Sequence, residues 1–178
     1  MHVIVIYGTV EGQTRKIARN IAGTVQSLGH DVTVFDAADI DDVDLATSDA
    51  VIVAAPVHTG KYPAALGHWL KHNTGELNNL PSVFVSVSLA AASAFPEEQR
   101  EIDSISADFL EETGWKPDEV HQAAGALRYL EYDFLKRLLM RHIVKQGGGP
   151  VDTSRDYEFT DWDALSAFVS NFLKQKAA

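Results

Sequence analysis

The chain contains no cysteine, which excludes disulfide bonds, cysteine-ligated zinc, iron–sulfur clusters and catalysis by a thiol. We expect no metal site. Basic residues are also scarce, with 15 Lys and Arg against 25 Asp and Glu and a formal net charge of −10. Because nucleic-acid phosphates need a basic surface, this charge argues against a nucleic-acid partner. No apolar run approaches the roughly 20 residues that span a bilayer.

The length and the hydrophobic content fit one domain. The 178 residues, 46% of them hydrophobic, suffice for one packed core, and no low-complexity tract or linker divides them. We therefore expect a single domain over residues 1–178.

Residues 1–7 are too short and uncharged a stretch for a signal peptide. We expect a cytoplasmic protein, with any membrane contact peripheral and at the inner face of the cell membrane.

Short apolar runs alternate with stretches of helical spacing along the chain. Helices are predicted after the first glycine loop, at Pro63, at Pro96 and after Thr160, where residues 160–163 resemble a capping box. Strands alternating with helices predict a parallel sheet covered by helices on both faces. The predicted strands are residues 3–7, 32–35, 50–55, 82–87, 120–127 and, shorter, 157–160.

The segment after the first strand has the features of an anion site. Gly8 follows the strand and Gly12 precedes the predicted helix. A helix N-terminus offers free backbone N–H groups and the positive end of the helix dipole. Side-chain donors in the loop favour a phosphate site over a simple tight turn. The predicted cofactor contacts here are Thr9, Val10, Glu11, Gly12, Gln13 and Thr14.

The spacing of this loop favours a monophosphate. A dinucleotide site needs G-x-G-x-x-G, and a Walker A loop needs four residues between its glycines and then Lys. Here three residues separate Gly8 from Gly12, and Gln13 follows. Without the lysine a nucleoside triphosphate lacks its countercharge. The stretch 9–14 resembles the flavodoxin phosphate loop, T-x-T-G-x-T, with Glu11 in place of a hydroxyl residue, and the resemblance implies bound FMN.

The loops after the third and fourth strands are expected to flank the same site. In an open α/β sheet the ligand lies beyond the carboxyl ends of the strands, at the switch point. His58 or Tyr62 is expected to lie along the isoalloxazine ring, and Gly60 to let the backbone approach it. The alternatives are a water-exposed His58 and a Tyr62 that belongs to the following helix. The predicted contacts are Pro56, Val57, His58, Thr59, Gly60, Tyr62, Ser86, Val87, Ser88, Leu89, Ala90 and Ala91.

Several strings carry a more specific resemblance: G-Q-T-R at 12–15, L-P-S at 80–82, W-K-P-D at 115–118, A-G-A-L-R-Y at 124–129 and T-D-W at 160–162. In these strings the chain resembles the quinone-dependent protoporphyrinogen oxidases, a branch of the flavodoxin superfamily in heme biosynthesis. The resemblance implies an α/β, flavodoxin-like three-layer sandwich with a five-stranded parallel sheet in the order 2-1-3-4-5. It also implies a helical insert, at about 128–155, in the fifth-strand region.

The same resemblance implies an oxidoreductase. FMN would oxidise protoporphyrinogen IX to protoporphyrin IX and pass the electrons to a quinone. The flavin carries this chemistry, and the sequence assigns no catalytic acid or base. Two alternatives stay open: a flavodoxin-type electron carrier that docks on protein partners, and an FMN quinone reductase using NAD(P)H. An acidic surface fits the electron carrier, whereas the missing dinucleotide pattern argues against the reductase.

The insert has its own charge pattern. Arg137, Arg141 and Lys145 are four residues apart on one helical face, and leucine and isoleucine residues occupy the opposing face. Residues 128–145 carry a net charge of +3, which leaves −13 on the rest of the chain. Such a segment indicates a contact to an anionic ligand or a lipid surface, with a helix packed on the domain as the alternative. The substrate-binding candidates are Arg128, foremost for a carboxylate, Tyr129, Arg137 and Arg141.

Overall fold

The computed structural model of the protein describes residues 1–40, 43–127, 140 and 143–176. A five-stranded parallel sheet runs through the centre of the described chain in the order β2-β1-β3-β4-β5, which confirms the predicted order. Its strands are β1 (His2–Tyr7), β2 (Asp31–Asp36), β3 (Ala50–Pro56), β4 (Ser82–Ser88) and β5 (Glu119–Ala124).

Helices cover both faces of the sheet. Helix α1 (Gln13–Ser27) and the C-terminal helix (Trp162–Lys176) pack on one face. Helices α2 (Ala64–Leu77) and α3 (Pro96–Thr113) pack on the other. The predicted three-layer flavodoxin-like sandwich is therefore confirmed. No described helix is long and apolar enough to cross a membrane.

The apolar runs of the sequence explain which strands are central. Every residue of β4 is buried, and so are all residues of β3 except Pro56, because both strands have helices on both sides. Alternate side chains point to opposite faces: Val83 and Val85 join the core under α1, whereas Phe84 joins the core under α2 and α3. The edge strands β2 and β5 are more exposed and more polar.

The predicted fifth strand, 120–127, is divided at Gly125. Strand β5 ends at Ala124, and Ala126–Leu127 forms β6, which pairs antiparallel with β7 (Tyr157–Glu158). The Gly125 N–H still donates to the Ser88 carbonyl oxygen, at 3.0 Å, but the Gly125 carbonyl accepts from the Phe159 N–H, also at 3.0 Å. The chain therefore leaves the main sheet at this glycine. Strand β7 is also shorter than the predicted 157–160.

The predicted capping box at 160–163 is wrong in its detail. The Asp161 carboxylate, not Thr160, caps the C-terminal helix by accepting from the Ala164 N–H at 2.9 Å. The Thr160 hydroxyl instead donates to the carbonyl oxygen of Ala124 at 2.7 Å. The Thr160 hydroxyl is thus bonded to the end of β5, and Thr160 lies one residue before the capping position of the helix.

The predicted insert, about 128–155, falls partly outside the described residues. Within the described part, Met140 and residues 143–146 are helical. Met140 and Val144 pack against Leu127, together with Leu89 and Tyr157, and form a small apolar cluster separate from the two main cores. The insert therefore contacts the loops at the carboxyl end of the sheet.

Candidate functional site

A cavity of about 320 Å³ opens at the carboxyl ends of β1, β3, β4 and β5. Its position is the switch point of the sheet, where ligands of doubly wound folds bind, and its volume is in the range of small-molecule sites. We call it the cofactor cavity. It is lined by Val10, Glu11, Gln13, Thr14, Pro56, Val57, His58, Thr59, Val87, Ser88, Leu89, Gly125, Ala126, Met140 and Ile143.

The loop between β1 and α1 presents an open helix N-terminus to this cavity. Gly12 precedes α1 with φ +83°, a left-handed conformation that favours glycine. Gly12 has no side chain with which to cap α1, and a helix N-terminus of this kind directs backbone N–H groups toward an anion. Thr14, 1% exposed, adds a hydroxyl at the same place. Thr9 shapes the loop by accepting from the Gly12 N–H at 3.0 Å.

Gln13 joins this loop to the far end of the sequence. Its side-chain Nε2 donates to the Thr160 hydroxyl at 2.9 Å, and Thr160 donates in turn to the Ala124 carbonyl oxygen. The predicted phosphate donor Gln13 therefore has a positioning role as well, because it ties the loop after β1 to the end of β5. The local sequence could not reveal this pair, since the two residues are 147 positions apart.

Polar contacts of Glu158 form a second link between the start of α1 and the C-terminal part of the chain. The Lys16 ammonium group is 3.0 Å from a carboxylate oxygen of Glu158, and the Trp162 indole N–H donates to the other oxygen at 3.2 Å. Desolvation acts to raise the pKa of Glu158, but hydrogen bonds from Lys16, Gln13 and Trp162 outweigh it, so the pKa lies below its usual value. This carboxylate fastens β7 to the start of α1.

The structure brings most of the predicted contacts together. Eleven of the eighteen predicted cofactor contacts line the cofactor cavity: Val10, Glu11, Gln13, Thr14, Pro56, Val57, His58, Thr59, Val87, Ser88 and Leu89. Gly60 and Ala90 line a neighbouring cavity instead. Thr9, Gly12 and Ala91 lie in the same loops without lining either cavity.

The side chains of Tyr62 and Ser86, two further predicted contacts, face the core. The Tyr62 hydroxyl donates to Ser86 Oγ at 2.8 Å and lies 2.8 Å from Ser106 Oγ. The Tyr62 ring is 4.5 Å from the Phe109 ring and 5.2 Å from the Phe84 ring, measured between centroids. Burial raises the pKa of Tyr62, as expected for a phenol in this environment. Neither side chain is therefore placed to contact a ligand in the cofactor cavity.

The loop after β3 turns sharply at the edge of the cavity. His58 and Lys61 exchange backbone hydrogen bonds of 2.9 and 3.1 Å, and Thr59 and Gly60 between them have φ of +49° and +73°. A positive φ at a threonine is uncommon and marks a constrained loop. This turn holds His58, which is exposed, and Thr59 at the cavity mouth.

Four lining residues were not predicted: Gly125, Ala126, Met140 and Ile143. A signal existed for the first two, since they follow the fifth strand as the other loops follow theirs. Met140 and Ile143 belong to the insert, and nothing local indicates where the insert packs. The predicted substrate contacts Arg128, Tyr129, Arg137 and Arg141 lie outside the described residues, while Lys145 of the same face is described and exposed.

A second cavity of about 470 Å³ adjoins the first on the side of α3. We call it the α3 chamber. Its polar lining includes Thr59, Ser93, Glu98 and Glu101, and its apolar lining includes Ile102, Ile105, Leu127, Val144, Pro150 and Phe159. Six residues line both cavities: Val57, Thr59, Ser88, Leu89, Met140 and Ile143.

Comparison with known proteins agrees with this geometry. The family described as "Flavodoxin domain" matches residues 4–154. Protoporphyrinogen IX dehydrogenase [quinone] of Escherichia coli K12 is 32% identical over 170 residues, which are 95% of this chain and 93% of that protein. The protein of the same name in Leishmania major is 32% identical over 95% of this chain and 73% of its own length.

Solved structures show the same fold. Oxidised flavodoxin 1 from Bacillus cereus superposes with a TM-score of 0.59 at 18% identity, covering 98% of each chain. At 18% identity this match is evidence for the fold alone. The residues of the cofactor cavity themselves suit a flavin nucleotide: a helix N-terminus with a threonine hydroxyl lies at one end, and the loops after β3 and β4 contribute mostly apolar walls.

Proposed function

The chain belongs to the flavodoxin domain family and, within it, to the quinone-dependent protoporphyrinogen IX dehydrogenases. We propose that it binds FMN and oxidises protoporphyrinogen IX to protoporphyrin IX, with a quinone as electron acceptor. The observation that carries this proposal is 32% identity to the Escherichia coli protein across 95% of the chain. The cofactor cavity supports it, because its phosphate end offers donors for one monophosphate.

Bound FMN supplies the redox chemistry, and the protein supplies position and surroundings. We assign the phosphate to the start of α1, where Thr14 and the N–H groups of the first turn converge. Val57 and Leu89 provide apolar walls from two loops, and Met140 closes the cavity from the insert. These apolar contacts would keep water from a bound flavin ring.

The tetrapyrrole substrate is a dicarboxylate, and a guanidinium group matches a carboxylate through two parallel hydrogen bonds. We propose Arg128 as the main contact for one substrate carboxylate. Tyr129, Arg137 and Arg141 are further candidates on the same segment. The net charge of +3 between residues 128 and 145, in a chain of −10, supports a role for this segment in binding an anion.

The test uses purified protein, FMN, protoporphyrinogen IX and menadione without oxygen. We expect porphyrin fluorescence to appear only when protein, FMN and quinone are all present, with apoprotein as the control. A holoprotein that forms no porphyrin above the apoprotein level, yet exchanges electrons with a protein partner, would favour the electron carrier instead.

A variant pair tests the cofactor site. Thr14→Val should raise the Kd for FMN at least tenfold, since a hydrogen bond to a charged group contributes about 1.5–3 kcal/mol. Thr24→Val, at the other end of α1, loses the hydroxyl bonds to the Asn20 carbonyl oxygen and to Ser166 Oγ and should bind FMN normally. Equal FMN affinities for the two variants would contradict the assignment of the phosphate to the start of α1.

We also propose a weak, reversible contact with anionic membranes through Arg137, Arg141 and Lys145. Each cation near an anionic surface contributes about 1 kcal/mol, screened over a Debye length of about 8 Å. The charge of −13 on the rest of the chain opposes adsorption, so binding should be partial. Sedimentation with anionic vesicles should fall as salt rises and vanish when all three are changed to Glu. Equal sedimentation of wild type and variant would disprove this contact.

A further inference from the structure

We propose that the α3 chamber is the binding site of the quinone ring, and that Glu98 and Glu101 make this chamber selective for neutral acceptors. This inference rests on the proposed function, because it assigns a binding site to the quinone that accepts the electrons. Three features of the chamber carry it: its shared border with the cofactor cavity, its apolar lining and the sign of its charge.

The two cavities adjoin each other and share six lining residues. Val57 and Leu89, which border the cofactor cavity, also border the α3 chamber, and so does Met140 of the insert. A planar ring in the chamber therefore lies against the same side chains as a ligand in the cofactor cavity. That arrangement places an electron acceptor next to the cofactor without displacing the contacts at the phosphate end.

The chamber suits a flat apolar molecule with a few polar atoms. Ile102, Ile105 and Leu127 contribute aliphatic surface, and burying such surface against a ring is favourable. Thr59 and Ser93 bring hydroxyl groups that can donate to carbonyl oxygens. A quinone has this combination of an apolar ring and two carbonyl acceptors.

The described lining of the chamber is negatively charged at the N-terminus of α3. Glu98 lies in the first turn of α3 and Glu101 follows one turn later. Among the lining residues that the structure describes, these two are the only ones with a charged side chain. A helix N-terminus normally favours anions. Two carboxylates there reverse the preference, so the chamber disfavours a dicarboxylic tetrapyrrole and accepts a neutral quinone.

The sequence offers a matched control. Glu97 is the neighbour of Glu98 in the first turn of α3, where both interact with the helix dipole. Glu97 is exposed and does not line the chamber. Replacing either residue by Gln therefore costs the helix a similar interaction, while only Glu98→Gln changes the charge of the chamber.

The experiment measures reoxidation of the photoreduced FMN holoprotein by stopped flow, without protoporphyrinogen. Menadione is compared with a sulfonated 1,4-naphthoquinone in the wild type, the double variant Glu98→Gln/Glu101→Gln and the control Glu97→Gln. At about 8 Å in a water-like dielectric, each carboxylate changes the rate for the anion about twofold. We expect the double variant to raise the rate constant for the sulfonated quinone about four- to sixfold, with menadione unchanged.

The outcomes separate the two proposals. If menadione fails to reoxidise the wild-type holoprotein, the quinone reaction itself is wrong. If menadione reacts but the double variant leaves the ratio between the two quinones unchanged, the assignment of the chamber is wrong and the proposed function stands. An equal gain in Glu97→Gln would also overturn the assignment, because it would indicate the overall field of the protein and not the lining of the chamber.

Discussion

Replacing Thr160 by valine tests whether the tie between the first loop and the end of β5 positions the cofactor. Valine keeps the branched shape of threonine and removes only the hydroxyl group. That hydroxyl accepts from Gln13 Nε2 at 2.9 Å and donates to the Ala124 carbonyl oxygen at 2.7 Å. Both bonds are partly buried, so Thr160→Val leaves a donor and an acceptor without these partners.

The magnitude follows from the two lost bonds. Each contributes about 0.5–1.5 kcal/mol, so the free energy of unfolding should fall by about 1–3 kcal/mol. If about 1 kcal/mol of this serves to hold the loop after β1, the Kd for FMN rises about fivefold. Gln13→Leu removes one of the same bonds. The double variant should therefore lose about 1 kcal/mol less than the sum of the single variants.

The assay is urea unfolding of the apoprotein together with FMN titration of each variant. Thr24→Val is the control, because it also loses a hydroxyl bond but lies at the far end of α1. It should lose stability without losing FMN affinity. Additive effects of Gln13→Leu and Thr160→Val, or an unchanged FMN affinity in Thr160→Val, would refute the reasoning.

Two further predictions concern the insert and a half-buried histidine. A Cβ on Gly149 would meet Val144 Cγ1 at 2.6 Å, whereas one on Gly147 meets nothing closer than 3.7 Å. Gly149→Ala should therefore displace Val144 and slow flavin reoxidation by menadione, with Gly147→Ala as the control; equal rates would contradict this. The His121 ring stacks on Phe168, and burial lowers the pKa of His121 below 6.5. As pH falls, this histidine is therefore protonated in the unfolded chain before it is protonated in the folded protein. The free energy of unfolding should then fall as pH drops below about 6.5. His121→Phe should flatten urea-measured stability between about pH 7 and 5, and an unchanged slope would count against it.

The sheet and the loops of the site could be predicted because their signals are local. A continuous apolar run such as residues 50–55 is required wherever helices cover both faces of a strand. The position of Gly12 before α1 follows from the geometry of a strand–loop–helix turn. Since the carboxyl ends of parallel strands share one edge, the loops after β1, β3 and β4 had to meet once the strand order was known.

Side-chain direction could not be predicted in the same way. In β4 serine and valine residues alternate, but every residue is buried, so the alternation does not show which side chains face the core and which face a ligand. Ser86 shares a face with Phe84, and its side chain meets Tyr62 in the core, although its position at the end of the fourth strand predicted a ligand contact. Thr160 shows the other limit, because the capping-box pattern describes its near neighbours while its partner Gln13 is distant in sequence.

Charge gives the two substrates different preferences within one cleft. The dicarboxylic tetrapyrrole and the neutral quinone must both reach the same cofactor, so contact with the ring cannot distinguish them. Glu98 and Glu101 make the α3 side unfavourable for carboxylates, whereas residues 128–145 carry a net charge of +3. Both effects are electrostatic, so salt screens them over about 8 Å at physiological ionic strength. Rising salt should therefore weaken binding of the tetrapyrrole while leaving reoxidation by a neutral quinone nearly unchanged.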